Sequence, residues 1–213
     1  MISIEKCGSA DDWAAIRRLC CLTANNGAPI SEERWPFFGE LWIGPYQKLR
    51  PELTYLARRD GMVVGYLTGS ADTAAFEREK FLRVTVPLLV RVGLRRFVPN
   101  ADTRRFVRRT LGFERGPNER FARDVRAMVD ERFSAHLHVN VDASCRGQGV
   151  GRQLMTHFFN DLRVLGVAGV HVYCGADPVS FYRREGFQEL AQISFKSKAM
   201  TNPVPVFLLG RAI

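Results

Sequence analysis

The sequence predicts an α/β fold: one domain over residues 1–213, with a mixed, mostly antiparallel sheet, helices on both faces and a helical insertion. Three observations predict it. Leu53–Arg58 and Met62–Ser70 alternate apolar and polar residues around Arg59-Asp60-Gly61, a hairpin signal. His136–Leu165 reads as strand, glycine-rich turn and amphipathic helix, and Gly169–Cys174 follows as a further strand. Between these two regions, residues 77–132 change to helix-like periods rich in arginine.

In chain order, Ile2–Glu5 reads as a short strand. Ser9 then offers an N-cap ahead of Ala10–Leu22, where Trp13, Ile16, Leu19 and Cys20 recur at helical spacing. Asn25–Pro51 mixes turn residues with Trp35, Phe37, Phe38, Trp42 and Tyr46, which either border a site or pack onto the core. In the second hairpin strand Gly65 and Gly69 suggest close backbone approach. Pro87, Pro99 and Gly116-Pro117 are expected to break the helices of the 77–132 insertion. A short helix over Pro178–Glu185 and a last strand over Val204–Arg211 complete the list.

Composition narrows the function classes. Hydrophobic content of 46% and charged content of 25% are ordinary for a soluble globular protein. The longest apolar runs, such as Val84–Val90, are too short to span a bilayer, and no membrane partner is expected. The start, MISIEKCGSADDW, lacks the apolar core of a signal peptide. Five cysteines without CxxC spacing argue against a disulfide scaffold or structural zinc, so no metal is expected and a cytoplasmic location is. Cys145, beside the glycine turn, reads as a loop thiol and not as a nucleophile.

Net charge is +9, and residues 77–132, with 14 Arg and 1 Lys against 8 acidic residues, contribute 15 − 8 = +7 of it. Such a stretch either attracts an anionic partner or forms the solvated faces of helices. Zinc-finger spacing and an aromatic platform are both missing, so sequence-specific nucleic-acid binding is not expected. A cover packed on the domain is favoured over a membrane-surface role for Val84–Val98.

The turn Arg146-Gly147-Gln148-Gly149-Val150-Gly151 carries the chemistry. Glycines let backbone N–H groups converge, and the following helix start adds partial positive charge, which together make an anion seat suited to a pyrophosphate. The spacing is GxGxG, not the dinucleotide-binding GxGxxG, and no Walker lysine follows.

These residues resemble the [QR]xxGx[GA] element of GNAT-type N-acetyltransferases, and Phe181-Tyr182-Arg183-Arg184-Glu185-Gly186-Phe187, about thirty residues on, resembles that family's FYxxxGF segment. Val64–Asp72 with Phe76, and the terminal Leu208-Leu209-Gly210-Arg211, are similar to the acetyltransferase-like domain of O-GlcNAcase and its stand-alone bacterial relatives. The likeness covers roughly 53–72 and 133–213, and more weakly 1–50.

The resemblance implies a splayed parallel strand pair at the sheet centre and transfer of acetyl from acetyl-CoA, the co-substrate, to an amine of a small molecule or peptide. It places the pyrophosphate on the N–H groups of Gln148, Gly149, Val150, Gly151 and Arg152, in the turn that Gly147 helps to shape, with Arg146 and Arg152 adding charge-assisted bonds. The strand carrying Leu137, Val139 and Val141 would pair with the pantetheine amides. Tyr182 would lie against the cofactor and protonate the leaving thiolate. For the base, His136, His138 and Asn140 share one strand face; His138 is the first candidate and His171 the second, each weighed against a satisfied core histidine. Asp177 falls where the subgroup places an acidic residue near the acetyl group, or else caps the short helix ahead of Pro178. It precedes Tyr182 by five residues, whereas the family's Asn or Asp does so by seven or eight, so the turn is shortened. The O-GlcNAcase domain lacks an intact glycine loop, which this chain has. A non-catalytic acetyl-CoA-binding module, or an interaction module using the arginine-rich insertion, is the alternative. A monomer and a homodimer are equally compatible.

Overall fold

Asp60 and Gly61 both have positive φ, 53° and 79°, the geometry of a two-residue type I′ turn. They join β2 (Thr54–Arg59) to β3 (Met62–Ser70), the hairpin expected from the alternation. In the computed structural model, which describes residues 1–24, 27–94, 104, 121–195 and 203–213, this hairpin lies within a seven-stranded sheet. The other strands are β1 (Ile2–Lys6), β4 (Ala135–Val141), β5 (Gly169–Cys174), β6 (Gln188–Phe195) and β7 (Val204–Ala212), and the spatial order is β1-β2-β3-β4-β5-β7-β6. All neighbours run antiparallel except β4 and β5, which are parallel.

One helical layer begins with α1 (Ala10–Thr23). Ser9 accepts from the Asp12 N–H while Asp12 Oδ2 accepts from the Ser9 N–H at 2.8 Å, a capping box that satisfies two otherwise orphaned donors. Then come α2 (Trp35–Trp42) and α3 (Gly44–Leu49). Phe37 and Phe38 are buried with Leu41 and Leu88, so this pair belongs to the core and not to a site. On the same side α4 (Thr73–Lys80) continues through a π-helical turn, Phe81–Thr85, into α5 (Val86–Gly93). Pro87 therefore does not stop the helix. Its ring would collide with the Arg83 carbonyl in a regular α-helix, and the preceding π turn relieves that register. Pro99 and Gly116-Pro117 lie outside the described residues.

The opposite face is covered by α7 (Val150–Val164), the short α8 (Val179–Arg184) follows β5, and α6 (Arg123–Arg132), which precedes β4, packs instead on the His136 side. Leu154, Met155, Phe158 and Leu162 of α7 are fully buried against Tyr55, Leu67 and Leu137. Each such side chain stabilises by about 1.5–3 kcal/mol relative to exposure, so this layer fixes α7, and the turn before it, on the sheet. A Cβ on Gly69 would lie 2.5 Å from Phe158 Cζ and 2.6 Å from the His136 carbonyl; the close approach expected there is real. Val129 and Phe133, at the end of α6, pack with Leu208 of β7.

The strand β6 is absent from the sequence reading. It is an outer strand bonded on one side to β7, with a register shift between Glu189 and Ala191, and its polar residues give a poor alternation signal. Among the described residues no helix is long and apolar enough to cross a membrane.

Truncating Phe158 to Ala is expected to cost about 3–5 kcal/mol, read as a lower urea midpoint at unchanged slope. Gly69→Ala, with no cavity made, is also expected to destabilise; a wild-type midpoint for either variant would contradict the packing described.

Candidate active site

Strand β4 is in register with β3 from Gly65↔Val141 to Ser70↔His136. With β5 it pairs only at Ala135↔Val170 and His136↔His171. Beyond those two positions β5 instead follows β7 up to Cys174↔Phe207. The parallel strands thus part, and from Leu137 through Val139 to Val141 the β5-facing edge of β4 has no strand partner among the described residues. Unpaired strand edges bind extended groups carrying amides.

The parted strands open toward the glycine turn. Asp142 accepts from the Ser144 N–H at 2.9 Å and starts a 3-10 turn, Ala143–Cys145. Gly147 and Gly149 follow at φ 75° and 78°. Gly149 is the N-cap of α7 in the left-handed conformation, which costs a residue with a Cβ roughly 1–2 kcal/mol. With this geometry the N–H groups of Gly147, Gln148, Gly149, Val150, Gly151 and Arg152 donate to no protein acceptor among the described residues. A ring of unclaimed donors at the positive end of a 15-residue helix suits a diphosphate. Gly151 is buried beneath Phe181, whose Cζ would sit 2.9 Å from an added Cβ. The two arginines are partly engaged: Arg146 Nε donates to the Val141 carbonyl at 3.2 Å, and Arg152 Nε to Glu185 at 2.9 Å. Cys145 is fully buried under this turn, consistent with a thiol that does not act as a nucleophile.

On the far wall, α8 ends at Gly186, φ 83°, with Phe187 N–H bonded to the Tyr182 carbonyl at 3.0 Å and Gly186 N–H to Arg183 at 3.1 Å. This Schellman ending explains the FYxxxGF spacing: the glycine reverses the chain, and Phe187 returns to meet the Tyr182 ring at 5.3 Å. Tyr182 is 5% exposed. Burial, with Cys174 beside it, pushes its phenol above the usual range, so it holds its proton at neutral pH. Asp177 does not cap α8. Pro178 occupies the N-cap, and no side chain bonds to that helix start, because the shortened turn sets Asp177 one residue too early; it is exposed.

The floor is the polar face of β4. His136 is held at both nitrogens, by Tyr46 Oη at 3.0 Å and Thr73 Oγ1 at 2.9 Å. His138 is partly exposed, and its Nε2 lies 3.4 Å from Asn140 Nδ2, which also donates to Tyr66 Oη at 2.8 Å. Burial lowers both imidazoles, His136 to about 3 and His138 to about 4, and His171 contributes to the His136 shift. His171 itself is 2% exposed, with Nδ1 2.7 Å from the Phe133 carbonyl: the satisfied core histidine, not a free base. Tyr66 was not singled out as a site residue by the sequence, and Tyr46 was named only among the aromatics that either border a site or pack onto the core. The signal for Tyr66 was sheet register, since it lies opposite Asn140. Among the described residues no cluster of His, Cys, Asp and Glu could hold a metal.

Comparison with known proteins agrees with this geometry. Residues 118–189 match the family model of the acetyltransferase (GNAT) domain. The chain is 34% identical over 128 residues to serotonin N-acetyltransferase 2, chloroplastic, of Oryza sativa subsp. japonica, covering 60% of this chain and 62% of that protein, so it spans less than two thirds of that relative. The crystal structure of SsHAT superposes with a TM-score of 0.69 at 26% identity, over 99% of this chain and 98% of that one. The structure of yncA from Salmonella typhimurium with its cofactor acetyl-CoA shares the fold, with a TM-score of 0.56 at 14% identity over 99% and 93% of the two chains. The parted β4–β5 pair and the amide turn both lie within the segment that matches the acetyltransferase (GNAT) domain model.

Proposed function

We propose that this protein transfers an acetyl group from acetyl-CoA to the amine of a small molecule or peptide. The observation that carries the proposal is the set of six unclaimed amides, Gly147–Arg152, at the mouth of the parted strands. The glycine turn is open in front, since a Cβ at Gly147 or Gly149 would meet nothing within 4 Å, so the residues present fit a diphosphate. An amine acceptor is supported by the name of the rice relative, and the likeness to the O-GlcNAcase domain and its stand-alone relatives by the sequence segments Val64–Asp72 and Leu208–Arg211. Residues 77–132 are read as a basic helical insertion into this one domain.

Acetyl-CoA supplies an acyl thioester, whose C–S bond breaks as the acceptor nitrogen bonds to the acetyl carbon. The turn amides hold the diphosphate, and Arg146 and Arg152 add positive charge beside it. The free edge of β4 at Leu137, Val139 and Val141 aligns the pantetheine arm, steering the thioester inward. Tyr182, protonated and buried, delivers its hydroxyl proton to the departing sulfur. His138, neutral at pH 7, accepts a proton from the acceptor ammonium, and Asp177, exposed beyond β5, attracts that cation.

Tyr182→Phe is expected to lower kcat by about 10²–10⁴-fold while acetyl-CoA affinity, measured by calorimetry, stays near wild type. Unchanged turnover would remove Tyr182 from the mechanism. Gly149→Val is expected to weaken acetyl-CoA by about 5–30-fold, the equivalent of roughly 1–2 kcal/mol of backbone strain, and an unaltered titration would refute the turn assignment. The neutral histidines give a sign for pH. With folded values near 3 and 4 against an ordinary 6.5, the unfolded chain binds more protons in that window. The stability they confer is present above about pH 6.5 and is lost as pH falls toward 4. Melting temperatures between pH 7 and 4 should fall, and less steeply in His138→Gln; parallel curves would contradict a neutral His138.

A further inference from the structure

The three imidazoles of the β4–β5 pair differ in how their nitrogens are used. Thr73 has one hydroxyl hydrogen, which goes to the Ser134 carbonyl at 2.7 Å, so its oxygen accepts from His136 Nδ1–H. His136 Nε2 then accepts from Tyr46 O–H. Both of its nitrogens are committed. His171 donates Nδ1–H to the Phe133 carbonyl. His138 alone of the three meets a side-chain amide, through a long 3.4 Å contact that is easily given up.

The orientation of that amide is set from behind. Tyr66 is fully buried, and its Oη accepts from Asn140 Nδ2 at 2.8 Å, which holds the amide with its NH₂ toward the imidazole. The second hydrogen of the same NH₂ faces His138 Nε2. A donor can face only a lone pair, so the imidazole proton sits on Nδ1. The Tyr66 ring packs edge-on to His138 at 5.7 Å, which limits ring rotation.

We infer that Asn140, oriented by Tyr66, is a positioning residue that fixes the His138 proton on Nδ1 and keeps Nε2 as the atom whose lone pair receives the acceptor's proton. The inference rests on the reading of His138 as the base. In the step, the N–H bond of the acceptor ammonium breaks, its proton bonds to Nε2, and the imidazole becomes imidazolium.

The test is the tautomer of His138, read from side-chain ¹⁵N shifts in histidine-labelled protein at neutral pH, with His138→Gln assigning the signal. Wild type should show Nδ1–H. Asn140→Asp, which offers only acceptors, should move the proton to Nε2, and Tyr66→Phe, which frees the amide, should give a mixture. A wild-type Nε2–H signal, or an unmoved tautomer in both variants, would overturn the positioning role. In turnover, Asn140→Leu should lose roughly tenfold in kcat with the KM for acetyl-CoA unchanged, and Asn140→Gln should recover part of the loss; wild-type kcat in Asn140→Leu would also overturn it. The tautomer readout needs no bound cofactor, so absence of acetyl-CoA binding would defeat the proposed function without altering the ¹⁵N result.

Discussion

Everything at the site depends on how briefly β4 and β5 are bonded to each other. Each is tied along its length to a different partner, β4 to β3 and β5 to β7, and they share only the rungs at Ala135↔Val170 and His136↔His171. Backbone donors and acceptors in a buried sheet must be paired, so strands that part at the centre need something to occupy the gap. The packing is arranged to keep it. Phe133, where α6 meets β4, sits beside Gly169 and Gly210 and gives its carbonyl to His171, which clamps the closed end. At the open end, α7 is anchored by Leu154, Met155, Phe158 and Leu162, so the amides at its start are held in place by the core and not by loop contacts.

The two walls of this gap have opposite characters. On the α7 side the faces are apolar, and they serve to position backbone. On the side of α1, α3 and α4 lies a line of polar groups, the fully buried Tyr66 and the partly exposed His136, His138 and Asn140. Enclosure keeps charge out: the imidazoles stay neutral and the Tyr182 phenol stays protonated at pH 7. One group able to give a proton and one able to take it are thereby maintained by the same physical effect, desolvation.

Much of this was legible in the chain. The hairpin at Asp60-Gly61, the cap at Ser9, the glycine turn and the ending of α8 at Gly186 are local, set by residues close in sequence, and each left a local trace. What escaped was non-local or silent. β6 gains its strand character from β7, not from its own alternation. Pro87 looked like a break because the π turn that accommodates it has no sequence marker. Asp177 could be read as a cap because spacing alone does not give the side-chain geometry of a shortened turn. His171 and His138 look alike in sequence; only the Phe133 carbonyl, 38 residues away, tells them apart.

The central claim is that the main-chain amides from Gly147 to Arg152 grip the diphosphate of the coenzyme. It is tested most directly by following backbone amide resonances during a titration with coenzyme A. The account requires the Gly147–Arg152 amide protons to shift downfield together and saturably, ahead of resonances elsewhere. Saturable binding that leaves those six amides unmoved would contradict it.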